Sequence, residues 1–195
     1  DTMTHYLTEL QGKGLGAVKI RHLLQMTSGI HHAENYFNPF AGVAKLYYGH
    51  NMRKQVLHLK PEMKPGFYFK YRSIDTQLLG MVVERATGRT LTSYMQDKIW
   101  TPLGMESDAS WSIDKKKNGL EKAYCCINAI ARDFAKFGRL YLNKGNWNGT
   151  QVISKDWVET SSKIDTDEGS AWYYQYQWWM ASREGDYFAE GHLGQ

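Results

Sequence analysis

A change of period constrains this chain more than any other feature. Through the first three quarters apolar residues recur at helical spacing. From Tyr173 to Met180 the pattern becomes period two, with aromatics on both sides. A chain that switches in this way is expected to fold as α+β, with helices first and an antiparallel sheet edge after them.

The helical part divides into segments. Ile20, Leu23, Leu24 and Thr27 fall at i, i+3, i+4 and i+7, and Gly29 stands where that helix would stop. Ile74, Leu78, Met81 and Val82 form a second stripe closed by Gly88. Thr90 can cap a third helix bearing Leu91, Tyr94 and Met95, which ends before Pro102. Ile130, Phe134, Phe137 and Tyr141 mark a fourth, with Asn128 as its expected N-cap, and Ser154 caps a short fifth around Trp157. Beyond the alternating run, Arg183-Glu184-Gly185-Asp186 reads as a turn and Tyr187 to Glu190 as the partner strand.

Composition narrows the class. With 195 residues, 42% apolar and 23% charged, the chain can bury a core without disulfides or metals. The longest apolar run, Leu78 to Val83, is far short of the roughly 20 residues of a membrane helix. Cys125 and Cys126 are adjacent, and neighbouring cysteines rarely pair, so no disulfide is expected; buried small side chains are the better account of them. Net charge is +4, but residues 164–195 hold six acids against one base, so the first 163 residues carry +9. The basic residues are scattered and the run Lys115-Lys116-Lys117 is short, which argues against a nucleic-acid partner.

Several residues invite a chemical reading. Ser112-Ile113-Asp114-Lys115 matches Ser-x-x-Lys, a motif that works on a helix, where both side chains share one face. Its surroundings lack helical periodicity, so the match reads as accidental. The histidines, including His22, His31, His32, His50 and His58, have no metal-ligand spacing, and neither a metal nor a cofactor is expected. Tyr71 sits just before a helix start near Ser73, where the helix dipole and nearby cations could favour the phenolate. His192, between Gly191 and Leu193-Gly194, stands at a strand end where glycine lets a ligand approach the backbone.

These phrases, taken in order, resemble the serine β-lactamase and penicillin-binding superfamily, on the class C side that includes esterases and 6-aminohexanoate-dimer hydrolases. Ile20 to Ile30 is similar to the family phrase IRHLLxMTSGI, and Pro65 to Ser73 to its PGxxFxYS segment. Leu78-Leu79-Gly80, Ala86-Thr87-Gly88 and Ile99 to Met105 follow in the family's order. Ala131 to Gly138 resembles its ARDxAxFG helix.

The resemblance implies a β-lactamase/transpeptidase-like fold, with a helical lobe over about 20–163 and a sheet edge over about 172–195 of one incomplete domain, 1–195. It implies a serine hydrolase that cleaves an ester or amide through an acyl-enzyme. Tyr71 would exchange protons as the tyrosine of the family's Y-x-N element, and Ser73 stands where that element has Asn. His192-Leu193-Gly194 would match the third element, K-T-G or H-x-G, and the backbone N–H of Gln195 would donate to the oxyanion. The Ser-x-x-Lys nucleophile would lie upstream, so the chain reads as an internal fragment, inactive alone, of an exported or periplasmic parent. The substrate would be a small ester, amide or β-lactam-like molecule. The Ser73 departure also admits a non-catalytic binding or sensor domain on the same scaffold.

Overall fold

The computed structural model describes residues 1–191. Its helices are α1 (Met3–Tyr6), α2 (Ile20–Leu24), α3 (Gly42–Tyr48), α4 (Met52–Val56), α5 (Ser73–Thr87), α6 (Leu91–Met95), α7 (Ala131–Leu142) and α8 (Lys155–Ser161). Among the described residues three small antiparallel sheets accompany them. Strands β1 (Ser110–Trp111) and β2 (Ile127–Asn128) pair, as do β3 (Asn146–Trp147) and β4 (Thr150–Gln151). The third sheet orders β5 (Tyr174–Gln175), β6 (Trp178–Met180) and β7 (Tyr187–Phe188) side by side. This is the α+β arrangement expected from the change of period.

The core is built around α5. Ile74, Leu78, Met81 and Val82 present one stripe, which is buried with Met3, Leu7, Leu10, Leu23, Leu46 and Met52 from α1 to α4 and their connections. Gly88 ends the helix in the left-handed region (φ 68°), and its N–H closes onto the carbonyl of Glu84. Thr90 and Ser154 cap α6 and α8 through their side chains, as their positions suggested. Past Met95 the chain widens into one π turn, Gln96–Trp100.

Three local expectations are corrected. The first concerns α2, which stops at Leu24 rather than running to Gly29, because Met26 takes a positive φ of 56°. There the backbone leaves the helix to pair with the segment before α5: Lys70 N–H donates to the Met26 carbonyl (2.9 Å) and Gly66 N–H to that of Thr27 (2.8 Å). Second, Asn128 is not the cap of α7 but lies in β2 opposite Ser110, and Ile130 is the N-cap.

The third correction is the run from Tyr173 to Met180, which is two strands rather than one. It folds back at Tyr176 and Gln177, with φ of 44° and 75°, so that Tyr174 opposes Trp179. Neither residue is the glycine or asparagine such a turn usually uses, and the left-handed region costs about 1–2 kcal/mol per residue. Tertiary hydrogen bonds offset that cost. Gln25 Oε1 accepts from Tyr176 N–H (3.0 Å), Gln177 donates to the carbonyls of Leu23 and Leu24 (3.3 and 3.1 Å), and Thr76 Oγ1 donates to Gln177 Oε1 (2.7 Å).

The charge asymmetry of the sequence is answered in part inside the chain. Asp165 and Asp167 pair with Arg21, and Glu168 pairs with Lys19 and His22. His22 Nδ1 accepts from Lys19 N–H (3.2 Å), leaving Nε2 to donate to Glu168 (3.0 Å). The pairs draw the acidic segment across the end of α2.

Gly80 marks the tightest helix contact. A Cβ there would lie 2.5 Å from Ala123 Cβ and 3.0 Å from Leu91 Cδ1. Alanine normally stabilises a helix interior, but here overpacking outweighs propensity. Gly80→Ala is expected to lower unfolding stability by about 1–2 kcal/mol. Urea denaturation of both proteins checks this, and a gain in stability would contradict the contact.

Candidate active site

Tyr71 precedes Arg72, the N-cap of α5, and its ring is held by the β5–β6 hairpin. It stacks on Trp179 (centroids 5.7 Å apart, planes at 21°) and meets Tyr174 edge-on (6.0 Å, 82°). Phe69 closes the same cluster against Tyr173, Tyr174 and Trp179. Period two explains the arrangement. Trp179 faces Tyr71, whereas its neighbour Trp178 points the other way, onto Phe137 and Tyr141 of α7. The aromatics on both sides of the run therefore serve two different contacts.

The electrostatics around Tyr71 differ from the sequence expectation. Burial, with the charge of Glu34 adding to it, pushes the phenol pKa up rather than down. The cation next to it in sequence, Arg72, is turned away and fully buried. Its guanidinium donates to the Lys70 carbonyl (3.1 Å) and to Glu62 (3.3 Å). Tyr71 is thus held as a phenol, and the phenolate reading is withdrawn.

Ser73 opens α5 and is buried. Its hydroxyl donates to Glu34 Oε1, and its N–H donates to Glu34 Oε2 (3.0 Å). Glu34 also accepts from the Tyr36 hydroxyl (2.8 Å) and lies 3.6 Å from His32 Nε2. Burial lowers the His32 pKa, which keeps that ring neutral. Glu34 was not singled out in the sequence. Nothing in its local pattern marks it, because its partner lies 39 residues later.

Two residues further along, still in the first turn of α5, stands Asp75, fully buried. Ser28 Oγ donates to its Oδ1 (2.7 Å), and its Oδ2 has no partner among the described residues. Burial pushes this carboxyl up to about 7, against the opposing pull of Ser28 and Arg72.

His192, Leu193, Gly194 and Gln195, the other expected site residues, lie outside the described residues. The Ser112–Lys115 match does not form a Ser–Lys pair on a helix. Ser112 lies in extended chain, donating its N–H to the Cys126 carbonyl (3.1 Å), while Ile113 bridges Glu121. Asp114 is a structural acceptor for Met52 N–H (2.7 Å) and Leu120 N–H (2.9 Å). Cys125 and Cys126, expected to be unpaired, form a disulfide with each other. Adjacent side chains of extended backbone point apart, and a positive φ of 76° at Cys126 breaks that alternation. Among the described residues no group of three or more His, Cys, Asp or Glu side chains is placed to hold a metal. No helix among them is long and apolar enough to cross a membrane.

Asp75 gives the site a pH signature. The folded chain keeps a proton on this carboxyl up to about pH 7, whereas an ordinary aspartate loses it near 3.8. Folding therefore takes up a proton between those values, and stability falls as pH rises through that window. Asp75→Asn removes this contribution. The stability difference, variant minus wild type, should grow from about pH 4 to about pH 7, as read from urea midpoints; parallel curves would contradict it.

Comparison with known proteins bears on the same residues. A profile of the family described as Beta-lactamase matches residues 1–195. The 6-aminohexanoate-dimer hydrolase of Paenarthrobacter ureafaciens is 29% identical over 203 residues, covering 93% of this chain and 51% of the relative. A protein of Escherichia coli O157:H7 named "Putative D-alanyl-D-alanine carboxypeptidase" is 31% identical over 207 residues, covering 82% of this chain and 47% of the relative. The solved structure titled "Putative 6-aminohexanoate-dimer hydrolase from Bacillus anthracis" superposes with a TM-score of 0.85 at 25% identity, covering 100% of this chain and 55% of that one. The chain spans about half the length of the curated relatives it matches. With the whole chain matched by one family, and its fold shared with β-lactamase and penicillin-binding neighbours, the protein belongs to the beta-lactamase family.

Proposed function

We propose that this chain is the inner part of a serine hydrolase that cleaves an ester or amide bond through an acyl-enzyme. A Ser-x-x-Lys nucleophile pair upstream of Asp1 completes it. In this reading residues from about 20 to 163 form the helical lobe and those from about 172 to 195 the sheet edge beside the cleft. The observation that carries the proposal is Tyr71: a phenol clamped by Trp179 and Tyr174 at the entrance to α5, and kept protonated by its surroundings. Support comes from family membership and from hydrolases among the relatives. The one Ser-x-x-Lys within the chain lacks the helical geometry.

The steps follow from those groups. The upstream serine oxygen attacks the carbonyl carbon while its proton passes to the lysine. Tyr71, resting as a phenol, hands a proton to the leaving nitrogen or oxygen as the C–N or C–O bond breaks, and is reprotonated from the lysine side. Water then attacks the acyl carbon and releases the serine. The backbone N–H of Gln195, after His192-Leu193-Gly194, is one of the two donors assigned to the oxyanion, and loss of one such donor costs roughly 100- to 1,000-fold. The substrate is a small ester, amide or β-lactam-like molecule, and the chemistry calls for no metal or organic cofactor.

The test uses the full-length protein. A fluorophosphonate probe should add its mass to an upstream serine, and the 195-residue chain alone should gain none. Tyr71→Phe should slow hydrolysis by roughly 100- to 10,000-fold. The loss should be larger on an ethyl ester, whose leaving group needs the proton, than on the matching p-nitrophenyl ester. A folded full-length protein that takes up no probe would instead be a binding or sensor domain on this scaffold.

A further inference from the structure

Helix α5 begins with a cap that cannot cap. Arg72 occupies the N-cap position, and its guanidinium has only donors, so it cannot accept from the first-turn amides. The missing acceptor comes from Glu34, on the loop between α2 and α3. One carboxylate oxygen takes the Ser73 N–H (3.0 Å), and the other takes the Ser73 hydroxyl and the Tyr36 hydroxyl (2.8 Å). The side chain is only 13% exposed, and His32 Nε2 stands 3.6 Å from it. A carboxylate at a helix N-terminus is favoured by the helix dipole, which makes this a strong clamp. It ties the Glu34–Tyr36 loop to the first residue of α5, two residues after Tyr71.

We infer that Glu34 is a positioning residue for Tyr71: by clamping Ser73 and Tyr36 it fixes the turn that aims the Tyr71 hydroxyl. The inference rests on the reading of Tyr71 as the proton donor. It assigns to Glu34, together with Ser73, the polar role that the resemblance gives to an asparagine at position 73. Ser73 alone cannot donate in that role, since its hydroxyl proton is given to the carboxylate. The negative charge also bears on Tyr71, raising its pKa and helping to keep the phenol protonated. The other titratable groups that feel Glu34 are His32, Tyr36, Asp75 and Tyr124, and Arg72 in turn acts on His32 and Asp75.

The experiment uses the full-length protein, with the ethyl and p-nitrophenyl esters as probes. Glu34→Gln keeps the size, removes the charge and replaces one of the two acceptor oxygens by an amide donor, so that the Ser73 N–H and the two hydroxyls can no longer all donate to this side chain. Small misplacements of a reacting group cost up to about 100-fold, so kcat is expected to fall about 10- to 100-fold, with KM within about threefold. The alkaline limb of the pH profile should also move to lower pH, since loss of the anion eases ionisation of the phenol. A residue that only stabilises the fold would not move that limb. Glu34→Asp restores the charge with shorter reach: the limb should return to its wild-type position while kcat stays reduced. It also serves if the Gln variant fails to fold, and wild-type kcat in Glu34→Asp would then overturn the inference. So would an unmoved limb with unchanged kcat in Glu34→Gln, provided Tyr71→Phe is impaired in the same assay. If Tyr71→Phe turns over like wild type, the hydrolase reading itself has failed.

Discussion

The structure depends on burying the polar start of α5, from its N-cap to Gln77. Arg72, Ser73, Asp75 and Gln77 are all at most 3% exposed, on a helix whose other face packs the apolar core. A buried polar group left unpaired costs about 1–3 kcal/mol, so each must recruit a partner from elsewhere in the chain. Ser73 takes Glu34, Asp75 takes Ser28, and Arg72 takes Glu62 and the Lys70 carbonyl. Gln77 accepts from Ala123 N–H (3.0 Å) and donates to the Glu121 carbonyl (3.2 Å). The start of one helix thereby sets the position of four separate segments, and Tyr71 immediately precedes it.

A second polar seam joins this frame to the hairpin. Gln25, itself buried, donates to Gln175 Oε1 (3.1 Å) and accepts from Tyr176 N–H, while Thr76 on α5 holds Gln177. These bonds sustain a turn that the local sequence disfavours, and they press Trp179 and Tyr174 onto Tyr71. The strain at Tyr176 and Gln177 and the stacking on Tyr71 are thus two ends of one linkage. Backbone strain of this kind persists where the surroundings over-determine it.

The ion pairs across α2 contribute differently. Lys19 and Arg21 are half-exposed, and pairs of that kind are worth about 0–1 kcal/mol each. Their effect is better described as alignment. Glu168 reaches both Lys19 and His22, and its backbone lies beside Gly66 in the turn that leads to Tyr71. The acidic bias after residue 163, which could have signalled an external partner, is in part consumed by the basic end of α2.

Much of the fold was legible in the residues themselves. The α5 stripe with Gly88 behind it and the Thr90 and Ser154 caps are local patterns, and local backbone chemistry produces what they suggest, whereas the alternating aromatics marked strand without the fold-back at Tyr176 and Gln177. Tyr71 was found because motif order marks a position along the chain. What the sequence could not carry is everything decided by partners distant in number. The end of α2 follows from pairing with residues 66–70, the fold-back at Tyr176 from Gln25, the cap of α5 from Glu34, and the protonated state of Tyr71 from burial. Periodicity and capping are short-range and can be read along the chain. Desolvation and the pairing of buried polar groups exist only once the chain has closed on itself, so tertiary structure alone decided how this site is held and charged.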